Sequence, residues 1–390
     1  MSRDCDVFCN VIDNYGDIGV CWRLARQLAH EHGVSVRLWV DDLNSLARLC
    51  HEADAAQDVQ HCRGVEVRRW SEPFPKVQPA GLVIEAFACK LPQSYLEAMA
   101  ARRQSVWINL EYLSAEDWVS GCHGLPSPHP SLPLTRYFFF PGFTMQTGGL
   151  LLERDLFERR DAFHKDVARQ QAFWQSFGME MPSAGTLKIS LFGYENAALA
   201  DLFDAWVGGT QPVLCLVPEG RILPQVRQYF GDAAPYARGS LLVRELPFVE
   251  QERYDELLWA CDVNFVRGED SCVRAQWAAK PFVWQIYPQH DAVHWQKLQA
   301  FLNLYNAPLG AAASGAMQGL WLAWNGGGGA GRAPSINSGQ AWQGFSAVIG
   351  ELGSRAQDWA RELAANNLAL NLLDFSQEIG RMRAFEIEGQ

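Results

Sequence analysis

Apolar runs of strand length alternate with a helical pattern over the first fifty residues. Residues 6–12 (DVFCNVI) predict a buried strand, and residues 34–40 (VSVRLWV) predict a second one. Between them, apolar residues recur at helical spacing from Val20, and Gly33 is a residue type that commonly follows a helix. A strand, a glycine-bearing turn, a helix and a second strand form a βαβ unit, in which the two strands are parallel.

The alternation continues and then restarts after a boundary. Residues 82–86 and 105–110 predict further buried strands of the first half. A polar stretch up to residue 169, followed by Pro182 and Gly185, predicts a boundary within residues 170–185. Strands and helices then alternate again, and they are predicted at 186–192, 197–207, 212–217, 241–246, 250–261, 262–266, 271–279, 281–286 and 290–304.

These patterns predict an α/β protein of two Rossmann-like domains that face each other across a cleft, with helices at the C-terminus. The predicted domains are residues 1–170 and 186–370, followed by a helical segment at 371–390. Because ligands of such sheets bind beyond the carboxyl ends of parallel strands, the candidate functional residues are those that directly follow strands.

Composition and charge limit the kinds of partner that we expect the protein to bind. The 390 residues include 44 acidic and 33 basic ones, for a net charge of -11. This balance and the scattered basic residues argue against a nucleic-acid partner. The chain has no apolar run of about 18 residues and no leader pattern at its start, which argues against a membrane protein. Ten cysteines without a CxxC pair indicate a reduced, cytoplasmic protein.

The loop after the first strand, residues 13–19 (DNYGDIG), contains two carboxylates. A dinucleotide-binding loop would read GxGxxG, whereas only Gly16 and Gly19 are present and the acids would repel a diphosphate. Two acids at such a position favour proton abstraction from a nucleophile, with Asp17 ahead of Asp13. Helix capping by Asp17 is the structural alternative.

The segment after the strand at 262–266 predicts a phosphate site. Arg267 offers a charged donor, Gly268 permits close backbone approach, and Ser271 adds a hydroxyl at the start of the next helix. Simple N-capping of that helix by Ser271 is the structural alternative. No histidine is placed to activate Cys272, so we do not expect a nucleophilic role for it.

Aromatic residues follow the first strand of the second half. Phe192 and Tyr194 flank a glycine, and such a pair can stack on a planar base. Phe248 and Gln251, which follow another strand, would complete that pocket. Burial of these aromatic rings in the core is the structural alternative.

No metal site is predicted. His290 and His294 have the spacing of two ligands on one helix, but no third ligand is evident. The Cys-His pairs at 50–51 and 61–62 lack the spacing of a zinc site, and we expect them to flank a surface loop.

Three segments together resemble one known family: residues 10–19 (NVIDNYGDIG), 264–277 (NFVRGEDSCVRAQW) and 280–288 (KPFVWQIYP). Over essentially its whole length the chain resembles the EarP family of bacterial protein-arginine rhamnosyltransferases, which modify elongation factor P. The resemblance implies a glycosyltransferase B fold and the donor dTDP-β-L-rhamnose. It also implies inverting transfer to one arginine of elongation factor P, without a metal or other cofactor.

The same resemblance implies roles for individual residues. Asp17 matches the general base, Asp13 the second carboxylate of that loop, and Glu269 a catalytic residue of the C-terminal motif. The implied donor-binding residues are Phe192, Tyr194, Phe248, Gln251, Arg267, Asp270 and Ser271. Many glycosyltransferases of this fold hold a ribose with two glutamates eight positions apart, whereas Trp277 stands eight positions after Glu269. That departure fits a deoxyribose.

Two rival functions remain open from the sequence. A non-catalytic module that binds a nucleotide sugar or a translation factor would fit the fold, but it would gain nothing from Asp13 and Asp17. An NAD-dependent oxidoreductase would need the missing GxGxxG loop, and only Asp41 and Asp42 after the second strand favour it.

Overall fold

A computed structural model describes residues 4–12, 15–102, 104–231, 234–287, 293–327 and 336–388, with the backbone alone for 384–388. The strands within these ranges are β1 (Asp4–Cys9), β2 (Ser35–Val40), β3 (Val59–Cys62), β4 (Val65–Arg69), β5 (Leu82–Ala86), β6 (Val106–Leu110), β7 (Pro126–Pro128), β8 (Thr135–Phe139), β9 (Leu187–Leu191), β10 (Val213–Pro218), β11 (Ala237–Arg238), β12 (Leu241–Leu246), β13 (Val263–Arg267) and β14 (Phe282–Gln285).

The helices within the same ranges are α1 (Gly16–His32), α2 (Leu43–Leu49), α3 (Gln93–Arg102), α4 (Trp118–Cys122), α5 (Leu156–Lys165), α6 (Val167–Ser176), α7 (Leu199–Gly208), α8 (Leu223–Phe230), α9 (Gln251–Ala260), α10 (Gly268–Ala278), α11 (Val293–Asn306), α12 (Ala311–Trp324), α13 (Ser338–Ala347), α14 (Ile349–Leu363) and α15 (Leu368–Glu388). Within the described ranges, no helix is both long and apolar enough to span a bilayer.

The chain divides into two compact units, of which the first is Met1–Arg154 with Leu363–Gln390 and the second is Asp155–Glu362. These bounds differ from the domains predicted at 1–170, 186–370 and 371–390. The polar stretch that suggested a boundary forms α5 and α6 of the second unit. Two of its apolar side chains, Leu156 and Phe163, are buried, and the ring of Phe163 lies 5.8 Å from that of Phe173 and 5.9 Å from that of Trp259.

The first unit is built on a sheet of order β3-β4-β2-β1-β5-β6-β8-β7, in which only the edge pairs β3–β4 and β7–β8 are antiparallel. β5 has the predicted bounds, but β1 covers residues 4–9 rather than 6–12. The shift has a local cause. Asp6 is fully buried within β1, where Arg37 donates two hydrogen bonds of 2.6 Å to its carboxylate.

The C-terminal helix α15 packs on the sheet of the first unit. Asn367, just before it, forms a β-bridge with Leu150. Along the helix, the ring of Phe375 lies 5.6 Å from that of Phe139. The segment predicted as a separate helical end is therefore part of the first unit's core.

The second unit is built on a sheet of order β11-β12-β10-β9-β13-β14, in which only β11 is antiparallel. The strand order reverses between β9 and β13, and in the first unit it reverses between β1 and β5. In open parallel sheets, ligands bind beyond the carboxyl ends of the strands at such a reversal. Both units are thus α/β, as predicted, and each has one reversal point at which a ligand could bind.

Candidate functional site

Arg267 ends β13 at the reversal point of the second sheet, and it is the centre of a cationic and aromatic cluster. Its guanidinium carbon lies 4.6 Å from the ring centroid of Phe192 and 4.5 Å from that of Tyr194. Arg267 is 6% exposed, and its Nε has no hydrogen-bond partner among the described residues. An arginine that is held by aromatic faces and forms no ion pair with a described residue is well suited to bind an anion.

The helix after β13 begins earlier than predicted. α10 starts at Gly268, not Ser271, so Ser271 lies inside the first turn and does not cap the helix. Instead, its hydroxyl donates to the backbone carbonyl of Arg267 and accepts from the backbone N–H of the same residue at 3.1 Å. Gly268 has φ +64°, a conformation that favours glycine, and Trp284 Nε1 donates to its carbonyl at 2.9 Å. These bonds fix the start of the helix.

Asp270, in the first turn of α10, lies against the start of α9. Gln251, the first residue of α9, donates from Nε2 to Asp270 Oδ2 at 3.3 Å. One turn further into both helices, Arg274 donates to both oxygens of Asp255 at 2.8 and 2.7 Å, and both side chains are buried. Gln251 and Asp270, two predicted donor-binding residues, are therefore brought together by the packing of α9 on α10.

The loop after β9 is held by a side chain that sequence reasoning missed. Gln285, the last residue of β14, accepts from the backbone N–H of Tyr194 at 2.8 Å and is 7% exposed. A Cβ at Gly193 would lie 2.8 Å from that same Gln285 oxygen, so a larger residue there would displace the amide that holds the loop. A polar residue at the end of the apolar run PFVWQ was the signal that could have identified Gln285.

Tyr254 was also missed, because on α9 it reads as an ordinary core aromatic. Its ring lies 5.6 Å from that of Phe192. Burial raises the pKa of the Tyr254 phenol, which Ser271 and Arg267 lower in part. The phenol therefore stays protonated beneath the cluster of Phe192 and Arg267.

Asp17 lies in the first unit, in the first turn of α1 after β1. It is 3% exposed, and its Oδ2 accepts from the backbone N–H of Ile12 at 2.9 Å. The helix itself begins after Tyr15 with no side-chain cap, so the capping alternative for Asp17 is wrong. A second acid holds the same loop, since Asp41 Oδ1 accepts from the backbone N–H of Val11 at 2.9 Å.

The remaining predicted residues have simpler placements. Phe248 is half-buried in the segment between β12 and α9, three residues before Gln251. Glu269 is half-buried in the first turn of α10, where burial and its nearby charge raise the pKa of the Cys272 thiol. The expected inertness of Cys272 agrees with that shift. Asp13 lies outside the described residues.

Within the described part of the chain, no group of three or more His, Cys, Asp and Glu side chains is placed to hold a metal ion. Cys50 and Cys62 are both buried, and the two Cys-His pairs flank the mostly exposed loop between α2 and β3, as expected. His290 lies outside the described residues.

Comparisons with known proteins cover almost the whole chain. Residues 5–377 match the model of a family described as elongation factor P (EF-P) rhamnosyltransferase EarP. A protein-arginine rhamnosyltransferase of Pseudomonas putida is 50% identical, over 96% of this chain and 99% of that protein. One of Pseudomonas aeruginosa is 48% identical, over 95% of this chain and 98% of that protein.

Two solved structures are also similar. One, described as the structural basis for EarP-mediated arginine glycosylation of translation elongation factor EF-P, has a TM-score of 0.67 at 37% identity and covers 96% of this chain and 99% of its own. A glycosyltransferase from Rickettsia africae has a TM-score of 0.55 at 8% identity, with 98% of each chain covered, and it shows the fold alone. The fold is that of the glycosyltransferase B class, and the chain is a rhamnosyltransferase that belongs to the EarP family of elongation factor P rhamnosyltransferases.

Proposed function

We propose that this rhamnosyltransferase moves L-rhamnose from dTDP-β-L-rhamnose to an arginine side chain of elongation factor P. Transfer inverts the anomeric centre, uses Asp17 as general base and needs no metal or other cofactor. The observation that carries the donor half of the proposal is Arg267, a buried guanidinium that stacks on two aromatic rings and has no carboxylate partner in the described chain. The acceptor, an arginine of elongation factor P, is inferred from membership of the EarP family.

The donor would bind at the reversal point of the second sheet. Its diphosphate would receive hydrogen bonds from Arg267 and from the backbone N–H groups at the start of α10, with Ser271 and Asp270 beside it. Phe192, Tyr194 and Phe248 would then line the thymidine side of the donor. As the bond from the anomeric carbon to the diphosphate breaks, the leaving dTDP gains negative charge, which these donors stabilise.

The acceptor guanidinium is a poor nucleophile, because its pKa lies above about 12 and its lone pairs are delocalised. Asp17 would orient it and take one proton as its nitrogen attacks the anomeric carbon, so that the product guanidinium keeps its charge. Asp13 would be the second carboxylate of this loop, and Glu269 would act beside the sugar.

The residues seven and eight positions after Glu269, where many glycosyltransferases of this fold have a glutamate that holds a ribose, support a deoxyribose donor. Trp277 and Gln276 are each 1% exposed, and the Gln276 amide oxygen accepts from Trp359 Nε1 at 2.7 Å. Neither side chain is therefore placed to hydrogen-bond the 2′-hydroxyl of a ribose bound at the surface of this unit. With a translation factor as acceptor, we expect the reaction to take place in the cytoplasm.

The rival functions fit the molecule less well. A non-catalytic module does not agree with membership of a rhamnosyltransferase family. An oxidoreductase would need Asp41 to hold a ribose, but that carboxylate is bound to the backbone of the loop after β1.

The proposal is tested by nucleotide titration and by the linkage formed. Calorimetry with the full chain should show dTDP binding more tightly than UDP. NMR of the rhamnosylated arginine should show the α anomer, because inversion of a β-linked donor gives that product. A β-linked product would overturn inversion, and equal affinity for UDP would overturn the thymidine donor.

A further inference from the structure

A second arginine lies against the same aromatic cluster as Arg267. Arg221, in the loop between β10 and α8, has its guanidinium carbon 5.9 Å from the ring centroid of Tyr194. The preceding residue fits tightly there, since a Cβ at Gly220 would lie 3.1 Å from Cε2 of Phe192. The loop thus packs on both rings that hold Arg267.

These two arginines differ from Arg227 of α8. Arg227 forms an ion pair of 2.7 Å with Glu245. Neither Arg221 nor Arg267 forms an ion pair within the described ranges. Two guanidinium groups lie within 6 Å of one ring centroid, and neither is ion-paired with a described residue. They create a positive potential that favours an anion carrying more than one charge.

We propose that Arg221 is a donor-binding residue, a second guanidinium that contacts the diphosphate and makes the site select a nucleoside diphosphate over a monophosphate. The inference rests on the proposed function, because it assumes a nucleotide-sugar donor at the second unit. Arg267 is buried and would contact the diphosphate from the protein side. Arg221 is exposed, so it would close on the diphosphate from the solvent side.

The test is calorimetry of dTDP and dTMP with the full chain and with Arg221→Gln. We expect the dissociation constant of dTDP to rise by about tenfold, the effect of losing one charged hydrogen bond, and that of dTMP to change by less than about twofold. Arg221→Lys should recover part of the affinity. Arg238→Gln is the matched control, since Arg238 is also exposed and stacks on a ring, that of Tyr229 at 5.0 Å, away from the cluster.

Each outcome decides between separate claims. If the wild-type chain binds dTDP and Arg221→Gln binds it equally well, the inference is wrong and the proposed function stands. Equal losses for dTDP and dTMP would mean that Arg221 acts on the base pocket through Tyr194, which overturns a diphosphate contact. An equal loss of dTDP affinity with Arg238→Gln would show that the effect comes from net charge alone, and this result would also overturn the inference. Failure of the wild-type chain to bind dTDP would overturn the proposed function together with the inference.

Discussion

The carboxylate of Asp17 is bonded to the backbone of Ile12, with 2.9 Å between Oδ2 and the amide nitrogen. The proposed base therefore also closes the loop that contains it. Because the side chain has these two roles, Asp17→Asn and Asp17→Ala should have different effects. An asparagine at position 17 keeps an oxygen for the Ile12 N–H but cannot take a proton, whereas an alanine loses both functions.

Asp17→Asn should lower kcat by about 10²- to 10⁴-fold, the usual contribution of a general base, and should leave the dTDP dissociation constant unchanged. Steady-state transfer assays and calorimetry check this. Asp41→Asn is the control, because Asp41 supports the same loop through Val11. Its rate should fall by much less. Turnover of Asp17→Asn close to wild type would remove Asp17 from the role of base.

Arg267→Lys should raise the donor KM and lower kcat/KM by about 10²-fold. Lysine keeps the charge but not the planar guanidinium that stacks on Phe192 and Tyr194. The same exchange at exposed Arg238 should change neither constant. Melting curves of both variants show whether the fold is kept. An Arg267→Lys enzyme with wild-type kinetics would contradict the diphosphate site.

Asp255→Asn should destabilise the second unit. The ion pair with Arg274 is buried, with 2% and 1% of the two side chains exposed, and loss of one partner of such a pair costs about 3–5 kcal/mol. Asp358→Asn, in an exposed pair with Arg361, should cost under about 1 kcal/mol. Scanning calorimetry of the full chain compares the two. Equal shifts in the melting temperature would show that the buried pair does not hold α9 against α10.

Removal of divalent metals should leave the transfer rate unchanged. In the proposed mechanism, Arg267 and the N–H groups of α10 stabilise the leaving diphosphate, a task that many enzymes give to Mg²⁺. The rate should agree within error before and after dialysis against EDTA. A loss of activity that added Mg²⁺ restores would contradict the metal-free mechanism.

Local patterns predicted about half of the elements of the fold, because their hydrophobic periods are short-range features. β5 and β12 have the predicted bounds, and the helix predicted to end before Gly33 does so. The start of α10 was misplaced, because Ser271 is a typical capping residue and nothing local shows that it bonds to Arg267 instead. The segment after residue 362 could not be assigned to the first unit, since only packing on a distant sheet decides that.

The sequence predicted three clustered residues of the candidate site but not the contacts between them. Strand ends identified Phe192, Tyr194 and Arg267, yet only the structure stacks all three together. Gln285 and Arg221 were not among the predicted residues, because each lies against this cluster through a contact with a loop far away in sequence.

The proposed reaction is tested most directly by the intact mass of purified elongation factor P after incubation with this enzyme and dTDP-β-L-rhamnose, with UDP-glucose as the control donor. We expect the addition of one deoxyhexose with the rhamnose donor, none with UDP-glucose, and none with the Asp17→Asn enzyme in the same time. An unmodified acceptor, despite dTDP binding by the enzyme, would contradict elongation factor P as the substrate. Addition of a hexose from UDP-glucose would contradict the donor.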